Sequence, residues 1–327
     1  LGSLLLTGSL FGQWQTIDDM ESYTVDTELD TNVDPTIGTG DWNFYRSPDD
    51  QYDTLPFFGV RADPFGGQGN ILSLHPGVPS ADGQGNTTIE RALPSSQQIV
   101  DNFPNSNKST FYFKFALPLV AGAPAESNTT WGLVHEAARN AETGKHAYGS
   151  YSVLGRIMQD GGIDIRDEGT YTDLTTAALN TETWYETWFV VDHTANTFTQ
   201  YIKGGTDYPT QTQLPKDAVV TAGYRNKTFD ALESMLFVTS TGSPTGRAGK
   251  DPVYLDDFHI DVSAENLTSP PPPAAPAGWA KIDDMESYTV DTELDTNVDP
   301  TIGTGVWNFY RSPDDQYDTL PFFGVRN

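Results

Sequence analysis

Thr183–Lys203 reads TWYETWFVVDHTANTFTQYIK, two alternating apolar and polar runs joined by the four residues His193–Asn196. Aromatic and β-branched residues at a period of two, interrupted by one short polar turn, predict an antiparallel hairpin. The same alternation recurs upstream in Ser109–Leu119 (STFYFKFALPL), where Phe111, Phe113 and Phe115 share one face. Leu154–Gln159 and Ile163–Asp167 flank the turn Asp160-Gly161-Gly162, and Glu233–Thr239 and Val253–Val262 supply two late strands. Thr130–Glu142 is the single stretch with a helical reading, and a short one. Strands at this spacing predict an all-β fold, a two-sheet antiparallel β-sandwich of the jelly-roll kind, over residues 14–268.

Working outward from that domain, its opening is repeated at the far end of the chain. Trp14–Arg61 and Trp279–Arg326 align without a gap at an offset of 265, and 45 of 48 positions match. A period of that length is the size of a domain rather than of a solenoid repeat. Between the domain and the copy lies SPPPPAAPAG, residues 269–278, a Pro-rich linker that favours an extended, semi-rigid polyproline conformation. The partial second repeat, 279–327, is too short and too rich in Asp and Thr to build its own core. Its apolar residues, among them Trp279, Ile282, Trp307, Phe309, Phe322 and Phe323, therefore need shelter from a tandem neighbour or from another subunit. Residues 1–13 open with the apolar stretch LGSLLLTGSLF. Two readings of it stay open: the tail of a secretory signal, or a donor strand in which Leu4, Leu5 and Leu6 pair with a neighbouring molecule.

The chain has 18 Lys and Arg against 45 Asp and Glu, a formal net charge of -27, and no Cys. Such a charge repels nucleic acid and anionic membranes, which need clustered cations. Without Cys there is no disulfide scaffold, thiolate metal site or thiol nucleophile. No run approaches the apolar length of a membrane span. Five N-x-S/T sequons, at Asn86, Asn107, Asn128, Asn226 and Asn266, add to an expectation of an extracellular or cell-surface location.

The opening WQTIDDMESY, the central WYETWFVVDHTANTFTQYIKGG and the closing SMLFVTSTG…PVYLDDFHIDV resemble concanavalin A-like (LamG-like) jelly rolls. The resemblance implies that the first strand, with its DD-x-E, and the last, with its DDF, pair side by side, and that calcium ties these ends together. Asp18, Asp19, Glu21, Asp256 and Asp257 are the implied ligands. A second acidic group, Asp26-x-Glu28-x-Asp30-x-Asn32-x-Asp34, sets oxygens at alternating positions, as a hard cation requires. Pro35 replaces the turn glycine of an EF-type loop, so a solvated acidic face stands beside calcium as a reading of Asp26, Glu28, Asp30 and Asp34.

The family also contains enzymes, whose motifs are absent or incomplete here. Asp164–Glu168 (DIRDE) lacks the carboxylate spacing of its glucanases. Tyr201-Ile202-Lys203-Gly204-Gly205 is similar to one strand of its alginate lyases, but the matching Gln-x-His is missing. His135, Glu136 and Arg139 read as one turn of a surface helix. The chain is therefore expected not to be an enzyme. For glycan binding the candidate platforms are Trp131, Trp184 and Trp188, with Tyr148 or Tyr151 as a further ring, because sugar rings stack on exposed aromatic faces. The preferred expectation is a secreted structural protein whose jelly-roll units assemble head-to-tail into a filament or stalk by segment donation. The alternative is a carbohydrate-binding module with a polysaccharide partner.

Overall fold

A computed structural model shows the hairpin of Thr183–Lys203 at the heart of a two-sheet antiparallel sandwich. The structure describes residues 13–25, 27–28, 42–47, 59–76, 86–100, 108–120, 123–124, 128–138, 146–175, 177–216, 218, 220–227, 231–240, 251–271, 301–302 and 305–306. The chain divides into two units, Leu1–Pro270 and Pro271–Asn327.

The first strands of unit one are β1 (Gln15–Asp18), β2 (Thr27–Glu28), β3 (Trp42–Ser47), β4 (Gly59–Ala62), β5 (Asn70–Leu74), β6 (Asn86–Ala92) and β7 (Ile99–Val100). Next come β8 (Lys108–Ala116), β9 (Leu119–Val120), β10 (Ala123–Pro124), β11 (Thr129–Val134), β12 (Tyr151–Ile157), β13 (Ile163–Asp167) and β14 (Thr170–Asp173). The last are β15 (Trp184–Asp192), β16 (Thr197–Gly204), β17 (Tyr208–Gln213), β18 (Ala222–Gly223), β19 (Ala231–Leu232), β20 (Ser234–Ser240) and β21 (Val253–Asp261). In the second unit, β22 (Thr301–Ile302) pairs with β23 (Gly305–Val306).

Sheet A runs β17-β16-β15-β8-β21-β5-β4-β2, with β1 added on β21 and β18 on β16; sheet B runs β14-β13-β12-β11-β20-β6-β3. First and last strands do lie side by side, with Gln15 opposite Ile260 and Thr16 opposite His259. Of Thr130–Glu142, expected as a short helix, the described part, 130–138, holds no α-helix. Its first half is β11, buried throughout between β12 and β20, and only Glu136–Ala138 turns as a short 3-10 segment. The continuous TTWGLV run is the signature of a strand covered on both faces, which periodicity alone does not separate from a buried helix.

Aromatic interlock fills the space between the sheets. Phe113 of β8 lies 5.4 Å from both Trp131 of β11 and Phe237 of β20, and Phe115 lies 5.0 Å from Trp131. All of these side chains are fully buried, so each contributes both water exclusion and close ring contacts. At one end the sheets are also tied by a buried carboxylate. Asp18 of β1 accepts from Tyr23 Oη (2.6 Å), from Trp42 Nε1 of β3 (2.8 Å) and, at its other oxygen, from the Met20 amide (2.9 Å). Arg91 of β6 completes an ion pair with it. Burial and the Asp18 carboxylate hold the Tyr23 hydroxyl far above its usual range, so it stays a donor.

Leu4, Leu5, Leu6, Trp279, Ile282, Trp307, Phe309, Phe322 and Phe323, expected at assembly joints, lie outside the residues whose side chains are described. The same holds for Asp26, Glu28, Asp30 and Asp34.

Replacing Asp18 by Ala strands a guanidinium, an indole N–H and a phenol in the interior. It is expected to cost about 3–5 kcal/mol in urea unfolding, as breaking a buried pair does. A loss below about 1 kcal/mol would show that the sheets do not depend on this tie.

Candidate functional site on the outward face of sheet A

Strand register brings chemistry-bearing residues into rows across the outward face of sheet A. In one row Lys203 of β16 stands opposite Glu186 of β15, Glu186 opposite Lys114 of β8, and Lys114 opposite Asp256 of β21. Basic and acidic side chains thus alternate across four neighbouring strands. The next row along is Gln213, Tyr201, Trp188, Tyr112, His259 and Thr16. Because side chains alternate along each strand, Phe113 and Ile202 between these rows, and Phe111 and Phe189 beyond the second, point into the core.

A bulge in β21 creates the acidic end. Register slips between Asp256 and His259, and Asp257 takes a left-handed φ of 51° that Asp tolerates better than most residues. The extra residue resets the alternation: Val253 and Leu255 face the core before it, Phe258, Ile260 and Val262 after it. Asp256 and His259 consequently both face outward. Glu21 reaches the same end, where its Oε1 accepts from the Asn70 amide at 3.1 Å. Gly69 leaves room for it, since a Cβ there would lie 2.1 Å from Glu21 Oε1, and the φ of +80° favours glycine independently.

Each charge in the row finds a partner within the chain. Lys203 Nζ lies 2.6 Å from Glu186 Oε1, and Lys114 Nζ lies 2.7 Å from Asp257 Oδ2 and 2.8 Å from Gln68 Oε1. Asp256 is the exception. It is buried, its Oδ1 has no hydrogen-bond partner among the described residues, and burial followed by the nearby Asp257 pushes its carboxyl up to about 9. It is a neutral acid at pH 7. Burial, with Asp19 and Asp257 adding to it against the Asn70 hydrogen bond, also raises Glu21. Burial lowers His259, against the opposing pull of Asp257 and Asp19.

The expected calcium ligands do not converge. Asp18 is consumed by Arg91, Tyr23, Trp42 and the Met20 amide, and Asp257 is neutralised by the Lys114 ammonium, so the cluster supplies its own cation. Asp19 Oδ1 accepts from the Glu21 amide at 3.3 Å. Among the described residues no group of three or more His, Cys, Asp and Glu side chains is arranged to hold a metal ion. The residues implied by the resemblance therefore do not fit that ion.

Two of the three expected tryptophan platforms are also corrected. Trp131 is 0% exposed in the core, packed on Phe113 and Phe115, and offers no face to solvent. Trp188 does point outward, but it is 0% exposed because the end of the unit crosses over it. That strap is Ser263–Ser269. Trp188 Nε1 donates to the Thr268 carbonyl (3.2 Å), Gln211 Nε2 to the Leu267 carbonyl (2.6 Å), and Ser269 Oγ to Glu186. Asn266 is folded into it: its Nδ2 donates to Asp261 Oδ2 and its Oδ1 accepts from both Thr268 groups, an Asx-type turn that explains this sequon without a glycan. Asn226 Nδ2 is likewise taken up by the carbonyls of Gly149 and Tyr151.

Trp184 is the tryptophan platform that remains, half-buried on the far side of the charged row. Its Nε1 donates to Asp63 Oδ2 (3.1 Å), and it packs with Phe65, Ala116 and Tyr254. Tyr201 and Trp14, also half-buried, were not among the expected platforms; their alternation with core residues was the available signal. Tyr201 and Lys203 of the lyase-like YIKGG stretch face outward beside Glu186 rather than beside a histidine base. His135 and Glu136 are elsewhere, paired with Glu233 (3.7 Å) and His146 (3.5 Å), and Arg139 lies outside the described residues.

No protein-family model matches the chain, and no curated protein matches it. Among solved structures it is similar to a marine PL-14 alginate lyase from Aplysia kurodai, with 13% identity over 75% of this chain and 98% of that one, TM-score 0.44. It is similar also to lectin II from Ulex europaeus, with 9% identity over 76% of this chain and 97% of that one, TM-score 0.42. A sialidase is similar at 11% identity over 75% of this chain, TM-score 0.40, but the chain spans only 19% of its length. These likenesses extend to the sandwich architecture and no further.

The neutral state of Asp256 has a consequence for pH. A folded-state value of about 9 against an unfolded value of 3.8 means that folding takes up a proton between those limits, so stability falls as pH rises through that window. Asp256→Asn removes this slope, at most about 1.4 kcal/mol per pH unit. Urea midpoints at pH 5 and pH 8.5 should differ less in the variant than in the parent. An unchanged difference contradicts the assignment.

Proposed function

We propose that residues 14–268 form a non-catalytic carbohydrate-binding module whose ligand lies along the outward face of sheet A. The supporting observation is the row structure of that face. Half-buried rings at Trp184 on β15 and Tyr201 on β16 lie beside planar hydrogen-bonding groups at Glu186 of β15 and Gln211 and Gln213 of β17. Trp14, ahead of β1, adds a third ring against Tyr112 and His259. Stacking rings beside fixed donors and acceptors are what a pyranose needs, apolar on its faces and polar around its rim. Catalysis is a poorer reading. The acid-base candidate Asp256 is 1% exposed, and Glu186 is engaged by Lys203, Tyr112 and Ser269. Secretion to the cell exterior and a polysaccharide partner belong to this reading. Affinity electrophoresis in gels containing single polysaccharides tests it. One polymer should retard the chain, and the Trp184→Ala and Tyr201→Ala substitutions should each weaken binding about tenfold, roughly 1.4 kcal/mol. Unaltered retardation of both variants, or no retardation of the parent by any polymer, would overturn it.

A second reading, assembly by segment donation, draws on burial in the first copy. Ile17, Met20, Trp42 and Val60 are between 0% and 6% exposed. The second copy carries the same residues at 282, 285, 307 and 325, with the same need for cover. In this reading the copy occupies, in a neighbouring molecule or module, the seat that residues 14–61 fill here, and contacts propagate head-to-tail. Deleting 279–327 should leave a folded monomer and abolish filaments seen by electron microscopy; filaments persisting without it would contradict the mechanism.

A further inference from the structure

The outward face of sheet B carries a second cluster, chemically unlike the first. Arg156 (β12), Arg166 (β13) and Tyr171 (β14) lie on three neighbouring strands, with Arg166 opposite Tyr171. Tyr148 approaches from the turn before β12 and Arg225 from the segment after β18. Arg156 sits 3.8 Å from the Tyr171 ring centre, Arg166 5.1 Å from it, and Arg225 4.7 Å from the ring centre of Tyr148. The two phenol oxygens touch each other. A cavity of about 470 Å³, lined by Asn128, Arg156, Met158, Gln159 and Asp160, opens beside Arg156.

The partners of these guanidiniums single the cluster out. Arg156 is held bidentate by Asp164. Arg166, by contrast, donates to neutral oxygens alone: Tyr148 Oη (3.0 Å) and the carbonyls of Gly169 (3.1 Å) and Glu168 (3.3 Å). Arg225 donates to the Tyr148 carbonyl at 2.6 Å. Neither has a carboxylate within ion-pair distance among the described residues, in a chain where acids outnumber bases 45 to 18. The acids at hand are otherwise engaged. Glu168 pairs with Lys227, Asp167 accepts from the Gly223 amide (2.7 Å), and Asp160 on the cavity wall accepts from the Gly162 amide (3.0 Å). Two cations held in place by neutral acceptors and ring faces keep their charge available. The fixed guanidinium fork matches the oxygens of a carboxylate or sulfate, and the cavity volume falls within the roughly 300–1,000 Å³ of small-ligand sites.

We propose that this cluster binds an anionic oxyacid group, a carboxylate or a sulfate, carried on a saccharide ring that enters the adjoining cavity. The site is independent of the one on sheet A. The net charge of -27 opposes a polyanion at long range, but that field is screened beyond about 8 Å at physiological ionic strength, whereas the fork contacts act at hydrogen-bond distance. The test is titration calorimetry of the full chain at about 0.15 M salt with three probes: a polyuronate bearing carboxylates only, a sulfated galactan bearing sulfates only, and a neutral glucan. At least one acidic probe should bind, and which one identifies the group. Arg166→Ala with Arg225→Ala should weaken that binding at least tenfold. Arg166→Lys with Arg225→Lys, which keeps the charge and loses the fork, should also weaken it clearly while leaving the melting temperature in place. Tyr201→Ala, on the other sheet, should leave it unchanged. Absence of binding by both acidic probes, full affinity in the double Lys variant, or loss of acidic binding in Tyr201→Ala would overturn the proposal.

Discussion

A single buried carboxylate determines how this chain closes. Asp18 sits at the end of the first strand and accepts from residues on β3 and β6 of the opposite sheet, so the sandwich is pinned at one end by charge and hydrogen bonds as well as by packing. Leaving any partner out is costly, because a buried donor or charge without its counterpart forfeits several kcal/mol. Residues 15–23 and Trp42 are thereby built into the domain: β1 lies on β21, Trp42 packs on Phe258, and Tyr23 closes over the carboxylate.

The two sheet faces turned to solvent then diverge. On sheet A the β21 bulge collects acids, Lys114 pairs with Asp257 there, and burial raises the Asp256 carboxyl. The strap Ser263–Ser269 crosses the same face and closes Trp188 and Tyr112 off from solvent, leaving half-buried rings on either side of the charged row. On sheet B the arginines gather over tyrosine rings, with Arg156 paired to Asp164 and Arg166 and Arg225 held by neutral oxygens. The rigid sandwich between them lets one unit present two surfaces of opposite character.

Much of this architecture was legible in the sequence. Alternation in STFYFKFALPL and TWYETWFVVD gave the strands, and the shared face of Phe111, Phe113 and Phe115 is a core face, all three being buried. The change of phase between Leu255 and Phe258 announces the bulge at Asp256-Asp257, a signal that reading the two acids as ion ligands passes over. Side-chain identity misled where it was separated from facing. Trp131 lies in a run buried on both sides, and the strap that covers Trp188 comes from residues nearly eighty positions away. Asp18 and Asp19 are adjacent in sequence yet opposite in fate, one buried as an anchor at the end of β1 and one half-exposed just beyond it. The arginine cluster joins positions 156, 166 and 225 with Tyr148 and Tyr171, and no local pattern connects them.

If closure by the opening segment is the governing constraint, its near-identical copy should be able to perform it. The direct measurement is near-ultraviolet circular dichroism and urea unfolding of two shortened chains, 62–327, which keeps the copy, and 62–278, which lacks both. The account predicts a native-like aromatic spectrum and a cooperative transition for 62–327 and neither for 62–278. A folded 62–278 chain, or an unfolded 62–327 chain, would contradict it.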